Sequence, residues 1–344
     1  MTKTGLMQLL RNGRYEILLA ILVGSTGYGL SLLTGASYAD PLVIALCIGI
    51  LVRTGVGDRR QLRHGFELAS AFFIPVGIVF YAMKNLNFDR LAKVDTAMLI
   101  LLSLVVLVYF AVILILGRLT GQRRQITYLT ATGSAICGAS AIAIISPAME
   151  AEPDDISVSL LAVTLVALLG LFTILPFLAT LFNLASSTYG ILAGAVLQFT
   201  GFVKSAVDNV PHLSRDMPAR ELASLALSVK AVRYLGLLVA IPLFASLIRK
   251  KIHIPRSLWA FLGAGVCGTW IYRHHNGFYL ETLTPIITPI FSLSWSIAMA
   301  AIGLNADIRQ LLSNDGIKAI LMAFGGFAAA TATFFGGLYL IHSL

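Results

Sequence analysis

Charge is scarce in this chain. Asp, Glu, Lys and Arg make up 12% of its 344 residues, against roughly 25% in an ordinary soluble domain. Hydrophobic residues make up 58%, and mean hydropathy is +0.86. That balance excludes a soluble fold and points to an all-α integral membrane protein. Cysteine is scarce too. Cys47, Cys137 and Cys267 lie in separate apolar segments, with no CxxC and no His at metal-ligand spacing. They read as small buried hydrophobes, so neither a disulfide framework nor a metal site is expected. HExxH, a Gly-rich phosphate loop and a nucleophile–base pair are all missing, so no catalytic residue and no cofactor is assigned. Cys137 as an intramembrane nucleophile has no His near it in sequence.

The net charge of +9 comes from basic residues in short loops between apolar stretches. That is the pattern of a membrane protein and speaks against nucleic acid as a partner. At the N-terminus, Lys3, Arg11 and Arg14 precede an apolar run from Tyr15 to Leu33, and Ser37-Tyr38-Ala39 resembles a cleavage site. The run exceeds a signal-peptide core of about 7–15 residues and reads as a retained first span.

A helix needs about 20 apolar residues to span a bilayer. Eleven stretches qualify: 15–33, 41–57, 65–82, 96–117, 129–148, 156–182, 188–207, 222–248, 257–272, 284–304 and 317–341. With the N-terminus in the cytoplasm, sixteen Lys and Arg fall inside, in loops 1–14, 52–64, 118–124, 249–256 and 305–318. Six fall outside: Lys84, Arg90, Lys93, Arg215, Arg220 and Arg273. The excess favours a multi-pass cell-membrane protein with its N-terminus in and C-terminus out. This topology puts loop 183–187 inside and the acidic loop Glu150, Glu152, Asp154, Asp155 outside. It makes the chain a single membrane domain, 1–344. Units 15–148 and 156–304 would form inverted five-span repeats, and 317–341 would be an extra helix. Span 129–148 then pairs with 284–304, which carries Pro285 and Pro289, small residues, and Asn305 and Asp307 at its end.

The stretch 129–148 stands out. Ala131, Ala135, Ala139 and Ala143 recur every four residues on one helical face, interrupted by Gly133, Ser134, Gly138 and Ser140. A small-residue stripe makes a tight helix seam. Glycines also let a membrane helix unwind where it faces protein or a water-filled cavity, and broken helices mark binding sites in secondary transporters. Lys230 and Arg233, three apart, share a face about ten residues into a span. They either snorkel to the interface or form an anion site facing a cavity. Gln198 and Thr200 can donate hydrogen bonds to an oxyanion or across helices. Lys204 with Asp208, Glu67 with Ser70, and His274 with His275 read as solvated ends and loops.

The run Ser134-Ala-Ile-Cys-Gly-Ala-Ser-Ala-Ile-Ala143 followed by Ser146-Pro147 closely resembles a motif of the YeiH-type sulfate-exporter family of bacterial membrane proteins. Tyr189-Gly-Ile-Leu-Ala-Gly194, Val229-Lys-Ala-Val-Arg233, Ala298-Met-Ala-Ala-Ile-Gly-Leu-Asn305 and Gly316-Ile-Lys318 extend the resemblance over nearly the whole chain. It implies an alternating-access transporter of a small sulfate-, sulfite- or sulfonate-like anion, with inverted repeats and broken helices. The substrate site would comprise Gly133, Ser134, Cys137, Gly138, Ser140, Gln198, Thr200, Lys230 and Arg233. The family's usual His-Glu pair is replaced here by Gln198-Phe199 and Phe202, and its basic residues in the third span by Ser70 and Pro75. A proton-relaying pair is thus not implied for this chain. A homodimer is compatible with this reading. The alternatives are a cation- or proton-coupled organic-acid carrier and a non-transporting membrane scaffold.

Overall fold

The computed structural model describes residues 14–35, 39–56, 63–86, 88, 96–210, 216–250, 256–306, 309 and 312–343. Lys3, Arg11, Ser37, Tyr38, Arg90, Lys93, Arg215 and Asp307 lie outside them. Every regular element among the described residues is helical. In chain order these are α1 (Arg14–Thr34), α2 (Pro41–Val56), α3 (Arg63–Asn85), α4 (Thr96–Leu119), α5 (Arg124–Ala135), α6 (Ala139–Ile145) and α7 (Pro153–Leu181). There follow α8 (Ser186–Val196), α9 (Thr200–Asp208), α10 (Ala219–Val232), α11 (Gly236–Arg249), α12 (Arg256–His274), α13 (Thr284–Asn305) and α14 (Asn314–Ser343). A 3-10 turn, Arg233–Leu235, joins α10 to α11, and a π-helical segment, Gly170–Ile174, lies inside α7.

Among the described residues seven stretches are long and apolar enough to cross a membrane: α1, α3, α4, α7, α10 with α11, α13 with the segment before it, and α14. Two of the eleven expected spans, 129–148 and 188–207, do not run straight through. Ser159 on α7 donates to the Ile126 carbonyl at 3.3 Å, and Gly133 lies against both Val163 and Ile142. The contacts of α5 and α7 thus advance together, so the two helices run parallel. The chain has returned to its starting face between them, and α5 with α6 forms a re-entrant hairpin. The twelve residues of α5 reach about 18 Å, half a bilayer. The same logic applies downstream. Gly190 meets Leu222 and Gly194 meets Ala226 and Val229, so α8 and α10 run parallel and α8 with α9 folds back. Between the hairpins α7, with 29 residues, reaches about 43 Å and carries the chain to the other face. The hairpins therefore enter from opposite faces.

This geometry corrects three expectations. Arg123 pairs with Asp155 at 2.9 Å and Asp315 at 3.2 Å, and Arg249 with Glu150 at 2.7 Å. The acidic loop 150–155 thus shares a face with residues 118–124, and loop 183–187 lies on the other. Neither loop contains Lys or Arg, so the charge bias is unchanged. The alanine stripe is not one face, because the helix breaks between Ala135 and Ala139. Of the three cysteines only Cys137 is fully buried, while Cys267 is exposed on the apolar exterior.

The helices pack as two groups. In the first, α13 lies on α1, α2 and α3, and α12 on α3. Ala20, Ala45, Phe66, Ile297 and Ala301 form its core. Gly49 and Gly303 let the α2 and α13 backbones touch; a Cβ on Gly49 would sit 2.6 Å from the Ala300 carbonyl. In the second, α4, α7 and α14 pack on the first hairpin, and α10 backs the second.

The base of the second hairpin is tied by Asp216, whose carboxylate accepts from the Ser186 hydroxyl (2.6 Å), the Ser187 N–H (3.0 Å) and the Ser187 hydroxyl. These donors, the two hydroxyls foremost, hold its pKa down to about 2 from 3.8. The folded form thus prefers the charged carboxylate. The contribution is complete above about pH 4 and fades as pH falls toward 2. The unfolding midpoint should therefore drop over that window in the wild type, and a pH series on Asp216→Asn should lack that component of the drop.

Candidate functional site

The two hairpin tips meet in the interior. At the first, Ile136 has φ −117° and ψ −87°, and Gly138 has φ 67° and ψ −127°. That last conformation is open essentially to glycine alone. The Gly138 N–H reaches back to the Gly133 carbonyl at 2.9 Å. At the second tip, Leu197 and Phe199 are extended (ψ 142° and 138°) between α8 and α9. Phe199 lies directly over Gly138.

Ending a helix inside a membrane strands its last carbonyls. Lys230 and Arg233 take up those of both hairpins. The Lys230 ammonium donates to the carbonyls of Ile136 (2.6 Å), Leu197 (2.6 Å) and Gln198 (2.7 Å). Arg233 donates through Nε to Ala135 (2.8 Å), through one terminal nitrogen to Ser134 (2.6 Å), and through the other to Leu197 (2.7 Å) and Gly194 (3.5 Å). Tyr109 donates to the Val196 carbonyl at 2.7 Å, and its ring lies 5.4 Å from the Arg233 guanidinium. Helix C-termini carry partial negative charge, so cations belong there. Among the described residues neither cation forms a salt bridge with a carboxylate. Exposure of 0% for Lys230 and 1% for Arg233 excludes both snorkelling and direct contact with a cavity. They sit here as caps on broken helices.

The structure gathers Ser134, Cys137, Gly138, Gln198, Lys230 and Arg233 at this junction. The Ser134 hydroxyl and the Gln198 side-chain oxygen are buried without a partner. Gln198 Nε2 donates weakly to Tyr109 Oη at 3.4 Å. Gly133 sits lower, in the seam between the arms, and Ser140 is partly exposed. Lys204, Asp208, Glu67, His274 and His275 are exposed and stand apart.

Thr200 leads out of the junction. Its hydroxyl bonds Tyr234 Oη at 2.8 Å, and both residues line a cavity of about 560 Å³. The cavity lies between the two helix groups. Lys84, Asn85, Tyr272, Tyr279 and Thr284 come from the first, and Ser224 and Ser228 from the second. It opens toward the face from which the second hairpin enters. Lys84, Tyr109 and Tyr234 were not singled out in the sequence. Tyr109 is findable as a tyrosine deep in the apolar run of α4, whereas Lys84 resembles any helix-end lysine.

Residues 16–323 match the family model described as conserved hypothetical protein 698. The UPF0324 membrane protein of Archaeoglobus fulgidus is 28% identical over 94% of this chain and 92% of its own length. UPF0324 membrane protein BH02290 of Bartonella henselae is 28% identical over 86% and 84%, and SERP0111 of Staphylococcus epidermidis 26% over 79% and 80%. No solved structure matches. The match over most of the chain makes this protein a member of the conserved hypothetical protein 698 family, the YeiH family of membrane proteins.

Proposed function

We propose that this protein is a secondary transporter that carries a small anion across the membrane by alternating access. One observation carries the reading: two helices broken at membrane depth meet tip to tip, and a polar cavity leads to the meeting point. Irregular backbone at that depth is tolerated where it serves a buried site, and opposed broken helices suit substrate binding near the midplane. The sign follows from the charges. Lys230 and Arg233 neutralise the negative helix ends, which leaves the positive N-terminal ends of α6 and α9 beside them. Among the described residues no Asp or Glu lines the cavity. Thr200 supplies a side-chain hydroxyl on the cavity wall, while Ser134 and Gln198 are fully buried. Lys230 and Arg233 act through their field rather than by touching the ion.

Purified protein reconstituted in vesicles should give saturable anion uptake. Thr200→Val should lower it about tenfold or more, as one hydrogen bond to a charged ligand is worth about 1.5–3 kcal/mol. Vesicles holding folded protein that pass no anion above the protein-free level would remove the proposal.

A further inference from the structure

The cavity contains more than a path to the tips. Among the described residues its one charged wall residue is Lys84, at the end of α3. The ammonium donates to Thr288 Oγ1 at 2.9 Å and lies 5.6 Å from the Phe291 ring. An ammonium has three donors, so two remain for a ligand. The last carbonyls of α3, at Met83 and Lys84, are already taken by the Tyr279 hydroxyl, so Lys84 is not needed as their cap. The Thr284 hydroxyl on the same wall is buried with no partner.

Two features define what would fit. One positive charge balances one negative charge. A doubly charged inorganic ion would bring an uncompensated charge into a half-buried site, which is costly. Lys230 and Arg233 cannot supply the second charge by contact, because both are fully buried away from the cavity. The volume of about 560 Å³ lies within the roughly 300–1,000 Å³ typical of organic ligands. Tyr234, Tyr272 and Leu227 give it flat and apolar wall. Resting on the anion-transport reading above, we infer that the substrate is a monovalent organic oxyanion, a carboxylate or sulfonate on a carbon skeleton. Its acid group sits on Lys84 and its skeleton against the tyrosines.

The test uses the full chain in lipid nanodiscs. Thermal unfolding is followed against benzenesulfonate, benzoate and sulfate, for wild type, Lys84→Met, Lys84→Arg and Ser228→Phe. Stabilisation by either monoanion at concentrations at least tenfold below those of sulfate supports the inference; which of the two binds tighter identifies the acid group. Lys84→Met should weaken that binding at least tenfold, and Lys84→Arg should keep it. Ser228→Phe, which fills the cavity without altering its charge, should weaken both monoanions at least tenfold. If Lys84→Met does not fold, the Ser228→Phe result decides. Sulfate binding as tightly as the monoanions, or monoanion binding indifferent to Lys84 and Ser228, overturns the inference while leaving anion transport standing. No response to any of the three also overturns it, and the wider reading falls only if the vesicles show no anion flux.

Discussion

Lys230→Met is expected to cost the folded protein about 2–6 kcal/mol, as two buried carbonyls lose their donor at about 1–3 kcal/mol each. The three carbonyls it serves, at 2.6–2.7 Å, belong to both hairpins. The thioether fills the same space and donates nothing, so the Ile136 and Gln198 carbonyls are stranded in a dry interior, while the Leu197 carbonyl keeps its bond from Arg233. Lys230→Arg should recover only part of the loss, because a planar guanidinium does not match the spread of a tetrahedral ammonium. Unfolding in nanodiscs measures both. A midpoint for Lys230→Met equal to wild type would show that the tips hold without this residue, and the description of Lys230 as their shared cap would fail.

Gly138→Ala is the second large effect, and it divides into two parts. Any side chain at φ 67°, ψ −127° carries backbone strain of about 1–3 kcal/mol. Its Cβ would also lie 2.8–2.9 Å from the Phe199 ring, and such overpacking adds about 1–3 kcal/mol. Phe199→Leu in the same chain should relieve the second part and leave the first. If the double variant regains wild-type stability, the backbone at Gly138 is not strained by alanine, and the account of the first break is wrong.

The membrane class, the family and the first break were all legible in the sequence. Scarce charge gave the class, and Gly133 and Gly138 amid small residues gave the break. Lys230 and Arg233 were recognisable as cations too deep for the interface, but their partners were not. The groups they serve are main-chain carbonyls up to 99 residues away, and a carbonyl leaves no signature in a sequence. The hairpins were misread as spans for a related reason. Two arms of half a bilayer consume as many apolar residues as one full crossing. Direction shows only in distant pairs such as Gly190 with Leu222. The second break has neither Gly nor Pro at 197–199, so nothing local announces it. Lys84 was passed over because one lysine at a helix end has many bland explanations, and the cavity beside it is built from elements some 200 residues apart.

The reach of Lys230 also sets an order of events during synthesis. The Ile136 carbonyl waits for a donor 94 residues further along the chain. When the first hairpin leaves the ribosome, nothing yet made can finish its tip. It becomes a settled part of the molecule only after α7, the second hairpin and α10 have been delivered. Chains cut short before residue 230 should therefore carry an unfinished hairpin, open to proteolysis, and the last residues of α10 act as the clasp that closes both halves at once.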